Sequence, residues 1–247
     1  MNIQTRQGPA YAVARITLDP NESVRAESGA MMSMSSGVVL ASNAQGGVLK
    51  SLKRAALGGE SFFVSTYTAS AQGGFVDVAA RLPGDISVIS IDSSSPLFIS
   101  RGSWLANHEE VTIDAQWGGF KNLFGSEGGF IVRAEGNGPV VIGCYGALEQ
   151  IDLAAGESIV VDTGHMVAYD SSVTMNIRKA AGGLVQSFKS GEGLAFEFTG
   201  AGRVWVQTRN PTELLGWIQA AVGTSNSGAN AGIGGVVGGL AGILNRD

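Results

Sequence analysis

Cysteine, histidine and basic residues are scarce in this chain of 247 residues. The single cysteine, Cys144, excludes an internal disulfide and a structural zinc site made of several thiolates. The chain has two histidines, and we expect neither a metal nor a cofactor. The 16 basic residues are scattered, and the net charge is −5. Nucleic acid is therefore an unexpected partner, because its binding needs clustered positive charge.

Sequence signatures of common enzyme classes are also missing. There is no GxxxxGK[ST] phosphate loop, no GxSxG nucleophile elbow, and no GxGxxG turn that opens a helix after a strand. The first thirty residues lack the basic and apolar stretches of a secretory leader. We therefore expect a cytoplasmic protein that is not an enzyme. Cys144, in the apolar run VVIGCYG, is expected to be a small buried side chain.

Glycine, by contrast, is abundant, and four glycine-marked or turn-marked landmarks recur three times in the same order. Glycine supplies 37 of 247 residues, about twice its usual share of ~7%. The first landmark is a turn with an acidic residue that leads into a strand: LDPNESV from Leu18, LPGDISV from Leu82 and LAAGESI from Leu153. The second is a glycine before large apolar residues, at Gly29, Gly102 and Gly164.

The third landmark is a glutamate among glycines, followed by a strand: GGESFFVSTY, GSEGGFIVRAEG and SGEGLAFEF. The fourth is a glycine turn and a second strand: GGFVDVAA, GNGPVVIGCY and GAGRVWVQT. The order of these landmarks predicts an all-β chain of three tandem, diverged β units. Because a unit of roughly 65 residues is near the lower limit for an independent core, we expect the units to pack about a pseudo-threefold axis.

The predicted boundaries place the three β units at residues 1–81, 82–152 and 153–210. Residues 211–247 differ from the three β units in composition and in predicted secondary structure. PTELLGWIQAAV has proline at a first helical position and predicts one short helix. A glycine-rich apolar tail follows, and residues 214–245 carry no charge. Such a tail is either a flexible extension or a segment that is covered by a partner, by its own copies or by a lipid interface.

Several motifs resemble those of the mitochondrial-biogenesis ("altered inheritance of mitochondria") family. The strings ESGAMM, GESFF, PGDI, VDTGHMVAY, KSGEGLAFEF and GRVWVQTR carry this resemblance, which covers about residues 3 to 210. It implies three tandem domains like the tryptophan RNA-binding attenuation protein, in agreement with the repeat. The mitochondrial members are linked to inner-membrane organisation and the bacterial members to no reaction, so no catalytic residue is carried over. The basic residues that the attenuation protein uses for RNA have no matching cluster here.

Candidate binding residues come from two places in the repeat. The glutamates of the third landmark, Glu60, Glu127 and Glu192, are 67 and 65 residues apart. Threefold packing would bring them toward one axis as an oxygen-rich cation site, whereas a local role would have each carboxylate accept N–H bonds in its own turn. His165, near Asp162, is either a base oriented by that carboxylate or part of a turn with its polar groups satisfied locally.

Alternation along GRVWVQTR places Arg203 and Trp205 on one face of a strand, where we expect the tryptophan to pack against the arginine. No coherent catalytic site results from any of these residues. The sequence therefore favours a non-enzymatic scaffold or interaction protein that is near a membrane through its tail. A small-ligand or metal-binding module with a site between the units is the alternative. The expected partners are an unknown protein, further copies through the tail, or a membrane surface.

Overall fold

The structure, a computed structural model, describes residues 1–43, 64–116, 131–179 and 194–223. Their strands form four sheets of four, six, six and three strands. One α-helix, α1, spans Pro211–Gly223. The predictions of an all-β fold and a short C-terminal helix are therefore confirmed.

The strands form three runs of six, preceded by β1 at Asn2–Arg6. The first run contains β2 (Val13–Leu18), β3 (Ser23–Glu27), β4 (Met31–Met34), β5 (Val39–Asn43), β6 (Val64–Thr68) and β7 (Gly74–Ala79). The second contains β8 (Ile86–Ile91), β9 (Leu97–Ser100), β10 (Trp104–His108), β11 (Val111–Gln116), β12 (Ile131–Gly136) and β13 (Gly138–Gly143). The third contains β14 (Leu148–Leu153), β15 (Ser158–Asp162), β16 (Met166–Asp170), β17 (Thr174–Lys179), β18 (Leu194–Thr199) and β19 (Gly202–Gln207).

Strand pairing follows one pattern in all three runs. The first strand pairs with the sixth, and the sixth with the third. The second strand pairs with the fifth, and the fifth with the fourth. The third strand carries the same irregularity opposite the sixth each time, between Met31 and Ser33, Trp104 and Ala106, and Met166 and Ala168. The common origin of the runs by triplication, and their threefold arrangement, stay predictions.

Consecutive runs are joined by strand pairing. The second strand of one run pairs with the third strand of the next, β3 with β10 and β9 with β16. The sheet orders are β5-β6-β3-β10-β13-β8 and β11-β12-β9-β16-β19-β14. Each six-stranded sheet therefore takes three strands from one run and three from the next. The other two sheets, β1-β2-β7-β4 and β15-β18-β17, contain strands of a single run together with β1.

Three of the four sequence landmarks fall at matching places in the runs. The third and fourth lead into the fifth and sixth strands, and Gly29, Gly102 and Gly164 each lie between the second and third strands. Gly29 has φ +91°, whereas Gly102 and Gly164 lie inside short 3₁₀ turns. Positive φ therefore occurs at one of the three glycines.

The first landmark matches in only two runs. Leu18 and Leu153 end the first strands β2 and β14, but Leu82 precedes β8, itself a first strand. The equivalent turn of the second run is IDSSSPLF, between β8 and β9. The expectation that Leu82 marks the same place was wrong, because turn chemistry identifies a turn but not the strands that pair after it.

Acidic residues stabilise the two matching turns by accepting main-chain hydrogen bonds. The Glu22 carboxylate accepts the N–H of Asp19 at 2.7 Å, and the Glu157 carboxylate accepts that of Ala154 at 2.9 Å. The strand before the first turn, β2, alternates along VARITL, with Ala14, Ile16 and Leu18 buried. This period-two pattern presents one face of the sheet to a core.

Three clusters of buried side chains lie between successive sheets. The first joins Ile16 and Val76 of the four-stranded sheet to Val24 and Val141 of the next sheet. The second joins Val140, Ile142 and Trp104 to Ile99 and Val132. The third joins Val204 of the second six-stranded sheet to Phe196 and Phe198 of the three-stranded sheet. Consecutive sheets therefore share a core, and each cluster draws most of its residues from one run and the others from adjacent runs.

The chain divides into two compact units, with the division after Asn210. This division coincides with the predicted start of the C-terminal segment. Helix α1 belongs to the second unit. No helix in the described part of the chain is long and apolar enough to cross a membrane.

Replacement of Trp104 by alanine should be among the most destabilising changes in the β core. Trp104 is fully buried, and its indole N–H donates to the side-chain oxygen of Asn107 at 3.0 Å. Trp104→Ala should lower the free energy of unfolding by about 3–5 kcal/mol, through lost burial and a cavity. Trp217→Ala is the matched control, because Trp217 is 69% exposed and its loss should cost no more than about 0.5 kcal/mol. Equal denaturant midpoints for the two variants would contradict the described core.

Candidate functional site

Asp162 and His165 lie at the 3₁₀ turn that joins β15 to β16. The Asp162 carboxylate accepts the N–H of Gly164 at 2.9 Å. The ring Nδ1 of His165 lies 2.7 Å from the carbonyl oxygen of Gln207 and donates to it. The Gln207 side chain donates to the carbonyl of Gly164 at 2.8 Å and accepts the N–H of Tyr145 at 2.9 Å. A network of turn and strand-end groups thus holds this corner together.

This geometry gives Asp162 and His165 separate partners. The carboxylate is used by its own turn, and a main-chain carbonyl on β19 orients the imidazole. Asp162 is satisfied within its own turn, whereas the partner of His165 is 42 residues away in the sequence. A histidine base needs a carboxylate or carbonyl to orient its ring and a second ring nitrogen that faces a substrate. Only the first of these two requirements is seen in the described contacts, and a binding role for the two residues stays a prediction.

The three candidate glutamates, Glu60, Glu127 and Glu192, lie outside the described residues. The strands that follow them, β6, β12 and β18, occupy the same place in their runs. Within residues 1–43, 64–116, 131–179 and 194–223, no group of three or more His, Cys, Asp or Glu side chains is arranged to hold a metal ion. A cation site between the units therefore stays a prediction.

Cys144 is buried, as the sequence predicts. Its thiol donates to the carbonyl of Gly146 at 3.2 Å. Burial raises the pKa of the Cys144 thiol to about 11, so the nucleophilic thiolate is a very small fraction at neutral pH. Cys144 is therefore a packing residue.

A group of charged side chains surrounds Asp77, a buried residue that sequence reasoning missed. Asp77 on β7 is 1% exposed, and its carboxylate accepts two hydrogen bonds from the Arg15 guanidinium, both at 2.9 Å. Arg6 donates a third at 2.9 Å, and the Ser33 hydroxyl a fourth at 2.7 Å. The Arg15 guanidinium also lies over the Phe75 ring, 4.0 Å from its centroid. The group ties together all four strands of its sheet.

The sequence feature that could have indicated this group is the alternation of side chains between the two faces of each strand. In GGFVDVAA, Asp77 lies between the core residues Val76 and Val78 and therefore points to the opposite face. In VARITL, Arg15 is placed in the same way. Their meeting depends on the register of β2 against β7, where Arg15 lies directly opposite Asp77. That register is a long-range property, and the sequence alone does not reveal it.

A second ion pair joins β16 to β19. The Arg203 guanidinium donates to both carboxylate oxygens of Asp170, at 2.8 and 3.0 Å, and the Arg203 main-chain N–H adds a bond at 2.9 Å. The guanidinium lies 4.8 Å from the centroid of the Trp205 ring. The predicted packing of Trp205 with Arg203 is confirmed. Because Trp205 is only 2% exposed, its ring has little surface for stacking on a ligand.

A family model, Mitochondrial biogenesis AIM24, matches residues 3–209. The chain belongs to the AIM24 family. The match spans nearly all of the β core and ends just before α1, and it confirms the resemblance seen in the motifs.

Two relatives from Streptococcus pyogenes are similar to this AIM24 chain. An uncharacterized protein of serotype M6 is 26% identical over 226 residues, which cover 88% of this chain and 89% of the relative. The crystal structure of another S. pyogenes protein superposes with a TM-score of 0.75 at 22% identity, and the match covers 89% of this chain and 99% of that one. The structural likeness supports the fold. The names of these two relatives state no substrate and no partner.

The Asp77 group should make stability depend on pH. Hydrogen bonds from Arg15, then from Arg6 and Ser33, hold the pKa of the Asp77 carboxyl well below its ordinary value. A carboxyl with a lowered pKa in the folded state stabilises the fold above its unfolded pKa of about 3.9, and this contribution disappears as the pH falls. Asp77→Asn should therefore lower the free energy of unfolding at pH 7 by about 1.5–3 kcal/mol.

The same variant should flatten the dependence of stability on pH between about 2 and 5. Urea unfolding at several pH values measures both effects. Asp114→Asn serves as the control, since Asp114 is an exposed carboxyl on β11. If Asp77→Asn and the wild type lose stability in parallel on acidification, the buried carboxylate does not have the described role.

Proposed function

We propose that this AIM24 chain is a non-enzymatic scaffold whose β core presents an apolar C-terminal segment to a membrane surface. The observation that carries the proposal is the composition and exposure of α1. Leu215, Trp217, Ile218 and Val222 are 58%, 69%, 40% and 50% exposed. A helix with so much uncovered apolar surface needs a partner in which to bury it.

The position of the charges also favours a lipid surface. Glu213, in the first turn of α1, is the last charged residue before Arg246. A segment with a tryptophan and branched aliphatic residues but no charge inserts into the boundary between headgroups and acyl chains through apolar burial. Helix α1 has 13 residues, fewer than the roughly 20 that a spanning helix needs. The proposed contact is therefore peripheral.

The net charge sets the expected lipid dependence. An acidic chain with scattered basic residues gains little from the negative field of anionic lipids. Attachment through α1 should therefore be as strong on neutral phosphatidylcholine as on vesicles that contain phosphatidylserine. It should also be insensitive to salt between about 0.05 and 0.5 M, where the Debye length shortens severalfold.

Flotation of the full chain with phosphatidylcholine vesicles tests the proposal. The wild type should float, and the double variant Trp217→Ser, Ile218→Ser should lose most of its floating fraction, because it removes two large apolar side chains from the proposed contact. Gln219→Ser, on the same helix, and Tyr11→Ser, an exposed aromatic residue of the β core, are the controls and should float like the wild type.

Three results would overturn the proposal. A wild type that stays with the pellet of unbound protein would show that the segment does not bind lipid. Equal flotation of the wild type and the double variant would place the contact elsewhere. Binding that needs anionic lipid and disappears in salt would indicate an electrostatic contact, contrary to the charge argument.

A further inference from the structure

The connection between β12 and β13 consists of one residue, Asn137, with a glycine on each side. Gly136 ends β12, and Gly138 begins β13. Their φ angles are +127° and +136°, in the region that favours glycine because other residues carry a Cβ. The side chain of Asn137 is exposed at the tip of this connection. The two glycines therefore set the path of the chain on both sides of an exposed asparagine.

Neither glycine has room for additional atoms. A Cβ on Gly136 would overlap the main-chain carbonyl oxygen of Glu110. A Cβ on Gly138 would lie 2.8 Å from the Cβ of His108, whereas non-bonded carbon atoms ordinarily stay about 3.5–4.0 Å apart. The main chain is therefore closely packed on both sides of Asn137.

This connection also joins the two six-stranded sheets. β12 pairs with β11 and β9 in one sheet, and β13 pairs with β8 and β10 in the other. Gly136 lies opposite Val111, and Gly138 lies opposite Ile91, so strand pairing begins immediately on each side of Asn137. The length of the connection is therefore fixed by strand pairing in both sheets.

Asn137 is the only asparagine in the sequence that is followed by glycine. The main-chain nitrogen of a glycine can attack the side-chain carbonyl carbon of the preceding asparagine, because no Cβ shields the approach. A bond forms between the Gly138 nitrogen and Cγ of Asn137, the bond from Cγ to Nδ2 breaks, and ammonia leaves with the proton of the Gly138 N–H. Water then opens the five-membered ring. Hydrolysis at Cγ gives aspartate, and hydrolysis at the main-chain carbonyl carbon gives isoaspartate.

The surroundings of Asn137 allow this reaction. Its side-chain oxygen accepts the N–H of Ser93 at 3.2 Å, at the long end of the range for N–H···O bonds. Asn107 is the contrast within the same chain. It is fully buried, its oxygen accepts the indole N–H of Trp104, and its nitrogen donates to two main-chain carbonyls. Water, which the second step consumes, therefore reaches Asn137 but not Asn107.

We infer that Asn137 is a site of spontaneous deamidation and that its isoaspartate product weakens the connection between the two six-stranded sheets. Isoaspartate carries the main chain through Cβ and Cγ, which adds one carbon atom to the connection. Because pairing begins at once on both sides and neither glycine has room, the added carbon displaces a strand pair. Aspartate leaves the main chain unchanged, and its carboxylate can still accept the Ser93 N–H. The site lies in the β core and is independent of α1 and of the membrane contact.

Peptide mapping by mass spectrometry tests for the reaction. The full chain is incubated in mildly alkaline buffer, both native and in urea, and isoaspartate is detected with protein-isoaspartate methyltransferase, which methylates its free α-carboxylate. In the native chain, Asn137 should be converted while Asn107 stays an amide. Asn137→Ser should remove most of the methyl label from the aged native protein.

Two results of this mapping would overturn the inference. A native chain that keeps Asn137 as an amide after the chain in urea has lost it would show that the fold protects this residue. Methyl label that is undiminished in Asn137→Ser would place the modification at another residue.

The stability of the two products tests the consequence. The aspartate and isoaspartate forms carry the same added charge, and the Asn137→Asp variant supplies the aspartate form independently. In urea unfolding, the isoaspartate form should have the lower midpoint, whereas the aspartate form and Asn137→Asp should unfold close to the wild type. Equal midpoints for the two forms would show that the connection accommodates the added carbon, and the inference would be wrong.

A second Asn-Gly pair supplies a matched control. The equivalent connection of the first run, between β6 and β7, is longer and spans residues 69–73. Gln72 is exposed and precedes Gly73, so Gln72→Asn in an Asn137→Ser background moves the reactive pair to this connection. Isoaspartate at position 72 should lower the urea midpoint less than isoaspartate at position 137. The reverse order would contradict the argument from the length of the connection.

Discussion

Pairing of β3 with β10 and of β9 with β16 is the constraint on which the rest of the β core depends. Through these two junctions, both six-stranded sheets are made from two runs, and each of the three buried clusters in the described residues contains side chains of more than one run. A single run supplies two half-sheets that belong to different layers. Each half-sheet leaves one edge open, and the adjacent run pairs with that edge at β3–β10 and β9–β16. Consecutive runs are therefore joined both by strand pairing and by shared buried side chains.

The same constraint explains where the charged groups lie. Asp77, Val141 and Trp205 occupy the same place on the sixth strands of the three runs, as their registers opposite Ser33, Ala106 and Ala168 show. In the second and third runs this place is apolar and buried against another sheet. In the first run it holds a carboxylate whose arginine partners are more than one-third exposed, at 37% and 39%. A polar face at the end of a stack of sheets keeps the end compatible with water.

Sequence reasoning was most successful where a feature is local. The strands after the glutamate landmarks, the turns at Glu22 and Glu157, the burial of Cys144 and the contact of Trp205 with Arg203 follow from alternation and turn chemistry over a few residues. It failed at Leu82, where a turn of the right composition precedes a strand with a different partner. It also missed the Asp77 group, because four strands that are distant in the chain must come together before its charges meet. The candidate glutamates depend on that same long-range geometry, which no local pattern contains.

Native-state hydrogen exchange, followed by mass spectrometry at increasing denaturant, tests most directly whether the shared sheets make one cooperative core. Amides of β3, β10, β9 and β16 should reach the same opening free energy and exchange through a single global unfolding event. This result is expected because none of these strands keeps both neighbours when an adjacent run opens. Exchange of β14–β19 at a distinctly lower denaturant concentration, with β2–β7 still protected, would show that the runs are independent domains and would contradict the account.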